Sequence, residues 1–337
     1  MSNIKHLLPR VGRYFKTNLH THCTISDGKL PLEEVVAGYK AKGYQVLCMT
    51  DHNVIADHSD LNEPDFLMLT GMEVNFNAPN LGELYSKTYH LNLIAKDPTN
   101  TKSPRGLSLK RRVPAEPYEA LMQCEDLGIT CDPESINTMI AWANQNGFLV
   151  MYNHPTWSCN EYPDYAPLKG LWGMELRNTE CCMIGHNENN FRVFKDFLNC
   201  GSRVFPIGTD DAHSPRAIGG SWIMVGAPEL SYGSVIEAME KGDLYMSCGP
   251  EITSLYVEDG VLKITCSDAQ RINLETNGRY AQVVFAEGEP LREAQFPLET
   301  FFARANGVPG SCIYLTVTAP DGTYAATRAY FLHELLP

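Results

Sequence analysis

Short apolar runs that end in a histidine, aspartate or glutamate recur along the first two thirds of this chain, and that repetition restricts its fold more than any other feature. "TNLHTH" delivers His20 and His22, and "QVLCMT" is followed by Asp51 and His52. "FLMLTGMEVN" ends near Glu73, "TYHLNLIA" carries His90, and "GFLVMYNHP" runs out at His154. "RVFPIGTDDAH" closes on Asp210, Asp211 and His213. Runs of this length read as buried strands. Helical patterns stand between them: Leu32, Val35, Val36 and Tyr39 share one face, as do Ile136, Met139, Ile140 and Ala143 behind a capping Asp132 and Pro133. Further helices are expected through Phe191, Phe194, Phe197 and Leu198, and over "SVIEAMEKG". The result is a βα-repeating α/β domain over residues 1–250.

After "CGPEIT" the texture changes to period-2 runs such as "VLKIT", "RINLET" and "CIYLTVTA", separated by the turn signals "EDG", "TNG" and "APDG". Residues 251–337 are therefore expected to form a small β-sandwich-like module. The segment "KDPTNTKSPRGLSLKRRVPAEP" is too long for a routine connection and reads as a functional or mobile loop.

Parallel βα folds gather ligand sites beyond the carboxyl ends of their strands, where the loops converge. His20, His22, Asp27, Asp51, His52, Glu73, His90, His154, Asp210, Asp211 and His213 nearly all fall there, so one pocket can collect them. In extended backbone, residues two apart face the same way, which lets His20 pair with His22 and Asp211 with His213. Imidazole with carboxylate suits Zn, Fe or Mn, and several carboxylates allow bridging between adjacent ions in a multinuclear centre. Of ten histidines, His6, His58, His186 and His333 lie outside this pattern.

The motifs "HTHCTISDG", "TDHN", "GME", "YHLNLIA", "YNHP" and "GTDDAHS" resemble, in order and interval, those of the PHP (polymerase and histidinol phosphatase) superfamily. The resemblance spans roughly residues 17 to 225. It implies a distorted (β/α)7 barrel with two or three metal ions at the carboxyl ends of its strands. Its implied ligands are His20, His22, Asp27, His52, Glu73, His90, His154, Asp211 and His213, with Glu73 as a bridge. The family pattern D-x-H selects Asp211 and leaves Asp210 to support or cap the site, while Asp51 would orient an imidazole. The β module that follows "IGGSWIMV" is similar to that of the carbaryl-hydrolase-like branch, which is associated with ester and carbamate hydrolysis.

A metal cluster of this kind acidifies bound water, supplies hydroxide at neutral pH and clamps the oxygens of a phosphoryl displacement. A phosphoesterase acting on a small anionic phosphomonoester or nucleotide is thus the leading expectation. A hydrolase of carboxylic esters, carbamates or amides comes second, and a metal-binding module without turnover third. Arg177 and Arg216 are the arginines best placed to add bidentate contacts to the substrate. Lys110, Arg111 and Arg112, with Lys102 and Arg105 nearby, read as a solvated loop face that would favour an anion if folded over the pocket.

Composition excludes other classes. With 27 basic and 40 acidic residues the formal charge is −13, which disfavours a nucleic-acid polymer as partner. No apolar run reaches membrane-span length and the N-terminus lacks a signal-peptide core, so the expected location is the cytoplasm. Eleven scattered cysteines without a C-x-x-C pair are expected to be reduced and mostly buried.

Overall fold

The computed structural model describes residues 4–10, 12–79, 86–106, 118 and 120–336. Seven strands carry the histidine- and acid-bearing runs: β2 Arg13–Asn18, β3 Val46–Met49, β4 Leu67–Asn77, β5 Thr88–Ala95, β8 Phe148–Tyr152, β9 Gly173–Asn178 and β10 Phe205–Thr209. They pair in the order β10-β9-β8-β5-β4-β3-β2. The two ends of this run meet, since the Asp211 amide donates to His20 O (2.8 Å) and the His22 amide to Ala212 O (3.1 Å). Two minor strands, β6 Lys102–Ser103 and β7 Gln123–Cys124, pair with each other.

Two features depart from the parallel βα expectation. Strand β5 runs antiparallel to both β4 and β8, so its beginning, and not its end, lies beside the ends of the others. Strand β4 continues four residues beyond Glu73, placing Glu73, Asn75 and Asn77 on one face. The register sets Asn75 opposite His90 and Glu73 opposite Asn92. All five side chains therefore share that face.

The helices follow the sequence pattern. Helix Leu32–Ala41 buries Val35, Val36 and Tyr39. Helix Pro133–Gln145 buries Ile136, Met139, Ile140 and Ala143, and Asp132 accepts from the amides of Glu134 and Ser135, a cap worth about 1 kcal/mol. Helices Phe191–Asn199 and Tyr232–Lys241 complete the outer layer. Each fully buried aliphatic or aromatic side chain contributes about 1.5–3 kcal/mol, and the sum holds the strand ends in place.

Beyond β2 the sheet continues antiparallel through β11 Trp222–Ala227 and β12 Leu244–Ser247 into β19 Tyr324–Thr327, β18 Cys312–Thr318, β15 Arg271–Thr276 and β16 Ala281–Phe285, with β20 Tyr330–Phe331 on β18. A second antiparallel sheet joins β1 Ile4–His6, β13 Ile252–Glu258, β14 Val261–Ala269 and β17 Leu291–Pro297. Its apolar residues, among them Leu255, Leu262 and Phe296, share a core with Leu274, Leu315 and Val317 of the first sheet. Although it opens the chain, β1 pairs with β13, and Leu7 and Leu8 join that same core. All eleven cysteines are free, but only five are buried: Cys23, Cys48, Cys181, Cys266 and Cys312. No described helix is long and apolar enough to cross a membrane.

Candidate metal centre

Local backbone chemistry places each donor. After β2, Asn18 Oδ1 accepts from the His20 amide (2.9 Å), and the extended run beyond it points His20 and His22 the same way. Gly28 closes the loop behind them. A Cβ there would lie 2.5 Å from His22 O, so the loop requires glycine. His154 and Asp211 both follow strand ends with positive φ, 22° and 51°, and so does Asn53 beside His52, at 53°. Non-glycine residues held in this region cost about 1–3 kcal/mol each and cluster at functional sites.

The nine residues named as ligands on the family resemblance converge. Four overlapping groups have donor atoms within 4.8 Å of one another: His22, Asp27, His52 and His213; His20, His22 and Glu73; His20, His154 and Asp211; and His52, Glu73 and His90. Glu73 is the hub, with His90 Nδ1 at 2.9 Å, His52 Nδ1 at 3.0 Å, His154 Nε2 at 3.2 Å, His20 Nε2 at 3.3 Å and His22 Nε2 at 3.4 Å. Asp211 Oδ1 lies 3.1 Å from both His20 Nε2 and His22 Nε2.

This donor set fits divalent cations better than a proton network. The outer nitrogens of three imidazoles are held from behind: His20 Nδ1 by Glu175 Oε1 (2.6 Å), His154 Nδ1 by Ser158 Oγ (3.1 Å), and His213 Nδ1 by Asp211 O (2.9 Å). Their Nε2 atoms face the cluster. His20 Nε2 and His22 Nε2 confront each other at 3.2 Å, and the buried His52 Nδ1 faces only Glu73 Oε2, at 3.0 Å and outside good hydrogen-bond geometry. Nitrogens that share a focus without a proton to divide suit a shared cation.

The electrostatics agree. Burial opposes ionisation of Glu73, yet His90, His20 and His52 outweigh it and hold the carboxyl well below its usual range. Burial is likewise outweighed at Asp211, chiefly by His20, and at Asp27, chiefly by His213. Conversely, carboxylates overcome the effect of burial to raise His154 and His213 to about 9. Burial prevails at His90, lowering it to about 4. The pocket is a concentration of negative charge that draws positive charge in.

Other expected site residues fall elsewhere. Asp51 touches no imidazole: its Oδ1 accepts from the amides of Cys23 and Ser26 and from Ser26 Oγ, fixing the His22–Gly28 loop. Asp210 accepts from the amides of Gly219, Gly220 and Ser221 and ties down the loop before β11. Arg177 binds Asn189 Oδ1 (2.9 Å), and the exposed Arg216 pairs with Glu180 (3.3 Å); neither lines the cavity, because local partners hold both guanidinium groups. Lys110, Arg111 and Arg112 lie outside the described residues. Lys102 turns away to Asn146.

Arg105 instead lines the cavity, donating to Asn75 O and lying over Phe76. It is the one Lys or Arg among the described lining residues. The cavity measures about 620 Å³, and Trp157, Cys181 and Ile184 border it beside the cluster. Glu175 is a further site residue that the strand-end pattern does not single out. Fully buried on β9, it accepts from the His154 amide (2.7 Å), Asn178 Nδ2 (2.9 Å) and Thr209 Oγ1 (2.6 Å) as well as holding His20. A lone glutamate between Met174 and Leu176 in an apolar strand is its only signal in the sequence.

Residues 17–113 match the PHP domain, and the chain holds a buried His/Asp/Glu cluster suited to metal ions. The fold is similar to a two-domain protein from Bacteroides vulgatus described as containing a predicted PHP-like metal-dependent phosphoesterase: identity 17%, coverage 97% of this chain and 98% of that one, TM-score 0.44. It is also similar to a protein from Bifidobacterium adolescentis proposed as a metal-dependent phosphoesterase: identity 17%, coverage 62% and 90%, TM-score 0.39. A third is an amidohydrolase from Chromobacterium violaceum: identity 14%, coverage 68% and 96%, TM-score 0.38. No curated protein matches the chain.

Proposed function

We propose that this chain is a metal-dependent phosphoesterase that hydrolyses a small phosphomonoester. The observation that carries the reading is the convergence of His20, His22, Asp27, His52, Glu73, His90, His154, Asp211 and His213 in one cluster, all but the buried His20 and His22 lining a cavity that also holds Arg105. These nine are the proposed ligands of two or three Zn, Mn or Fe ions, more donors than the four that a single zinc takes. The run of seven strands, closed where the segments after β2 and β10 bridge at Thr21 and Ala212, supports the distorted (β/α)7 barrel as their frame.

When bound, such ions supply an acidified water and positive charge against phosphoryl oxygens. The chain's own residues do the rest. Glu73 holds the donor groups in common register, and Glu175 and Ser158 fix the imidazoles of His20 and His154 so that their Nε2 atoms face inward. Arg105 offers fixed positive charge in the same cavity, a feature that a dianionic ester uses and a neutral ester does not.

The test is a panel of phosphomonoesters, a phosphodiester, aryl acetates and carbamates at matched metal occupancy, with metal content measured on the same sample. Phosphomonoesters should lead in kcat/KM, with two or three ions per chain. A clear lead for the neutral esters or carbamates replaces this reading with a carboxylic ester or carbamate hydrolase. No turnover with any substrate leaves a metal-binding module.

A further inference from the structure

Glu188 is a fully buried carboxylate that no metal group uses, and its burial pushes its pKa up, against ionisation. Its two oxygens hold the loop at Thr156 and Trp157 and the side chain of Asn190. Oε1 accepts from the Thr156 amide (2.9 Å) and Asn190 Nδ2 (2.9 Å), and Oε2 accepts from the Trp157 amide (2.9 Å). Thr156 Oγ1 adds a bond to Asn190 Oδ1 (3.0 Å). A buried acid committed to backbone amides rigidifies the side chains those amides carry, and here one of them is an indole in the cavity wall.

Trp157 is 37% exposed, and it lines the cavity. Its ring lies 5.4 Å from His90 and 5.0 Å from His154, at interplanar angles of 65° and 83°. Neither imidazole lies flat on it, so flat stacking is left to a ligand. Ile184 and Cys181 line the same cavity, and at about 620 Å³ it far exceeds what a phosphoryl group fills. The space beside the donor cluster thus combines a fixed aromatic wall with the amide groups of Asn75 and Asn77 and the guanidinium of Arg105.

We infer that Trp157 determines specificity by stacking on a planar ring carried by the leaving alcohol, and that Glu188 is the positioning residue that holds it. The substrate class is then a phosphomonoester of a ring-bearing alcohol, aryl or heteroaryl. This inference rests on the phosphoesterase reading for its ester but not for its ring.

The experiment compares three monoesters of similar leaving-group acidity on the metal-loaded protein: 2-phenylethyl, 2-cyclohexylethyl and butyl phosphate. The cyclohexyl ester matches the apolar bulk without the planarity. Stacking on an aromatic side chain is worth about 1–3 kcal/mol, so the phenyl ester should lead both others in kcat/KM by about 5-fold to 150-fold. Trp157→Ala should collapse that ratio toward one, Trp157→Phe should keep part of it, and Glu188→Gln should reduce it through KM. A binding arm without turnover uses the corresponding phosphonates, read by indole emission as the difference between the unaltered protein and Trp157→Phe. The phenylethyl phosphonate should shift that difference and the butyl one should not. Phosphate release from all three esters without ring preference overturns this inference and leaves the phosphoesterase reading intact. Ring-dependent binding without phosphate release does the reverse. A shift shared equally by all three phosphonates also overturns the stacking role.

Discussion

Glu175 Oε1 stands 2.6 Å from His20 Nδ1, both side chains wholly buried. This contact fixes which imidazole nitrogen faces the donor cluster, and it raises the basicity of that nitrogen. Burial would lower the pKa of His20, but Asp211, Glu73 and Glu175 together raise it well above the usual value. The same carboxylate also accepts from the His154 amide, so one glutamate orients two candidate ligands.

Glu175→Gln should therefore weaken metal binding about 10-fold to 100-fold, the usual cost of removing a partner behind a ligand. Competition with a chelator of known affinity measures it. Glutamine keeps the shape but brings an N–H group toward donors that Glu175 satisfies as acceptors, so the melting temperature should fall as well. Unchanged metal affinity in a folded variant would remove Glu175 from the metal centre.

Arg105→Ala should raise KM for phosphomonoesters about 10-fold to 100-fold, since a charge-assisted hydrogen bond contributes about 1.5–3 kcal/mol. Arg216→Ala and Arg177→Ala should stay within about twofold, because both groups lie outside the cavity on local partners. Steady-state kinetics on one phosphomonoester and one neutral ester distinguishes them. An equal loss on both esters in Arg105→Ala would argue for a structural arginine.

Strand-end histidines and acids are readable in the sequence because alternation fixes side-chain direction along a strand, and a βα repeat fixes where strand ends gather. The direction of β5 is not, since an apolar run of eight residues looks the same read either way; only pairing with β4 and β8 decides it. Arg105 sits in a segment without periodicity, and its place in the cavity depends on contacts with Asn75 and Phe76, far earlier in the chain. Asp51 and Asp210 show the converse. Their position beside ligands is legible, but amide groups of neighbouring loops claim their oxygens, and spacing carries no information about those partners.

Asp210→Ala should destabilise the protein by about 3 kcal/mol or more, because it strands three amides that now share one buried carboxylate, at about 1–3 kcal/mol for each unsatisfied group. Asp210→Asn should lose less, keeping one acceptor oxygen. Denaturant unfolding gives the order. Metal-loaded Asp210→Asn should retain turnover within a few fold, and a collapse of kcat in a folded, metal-replete variant would return Asp210 to the chemistry.

The charge pattern of the cluster should make chelator-treated protein lose stability toward both acid and alkaline pH. Asp27, Glu73 and Asp211 have folded-state pKa values below their unfolded ones of about 4, so their contribution is present above that pH and is lost as pH falls through the folded values. His90, lowered to about 4, adds to the acid loss: below about pH 6.5 the unfolded chain takes up a proton that the folded one refuses. His154 and His213, raised to about 9, contribute fully below about pH 6.5, and that contribution disappears as pH rises through about 9. Bound divalent ions replace those imidazolium protons as the positive charge facing the carboxylates, so Zn or Mn should abolish the alkaline loss while acid, which protonates the ligands, still releases the metal. Melting temperatures from pH 5 to 10, with chelator and with metal, test both limbs. An alkaline decline that persists unchanged with saturating metal would mean that the raised histidines are not where the cations bind.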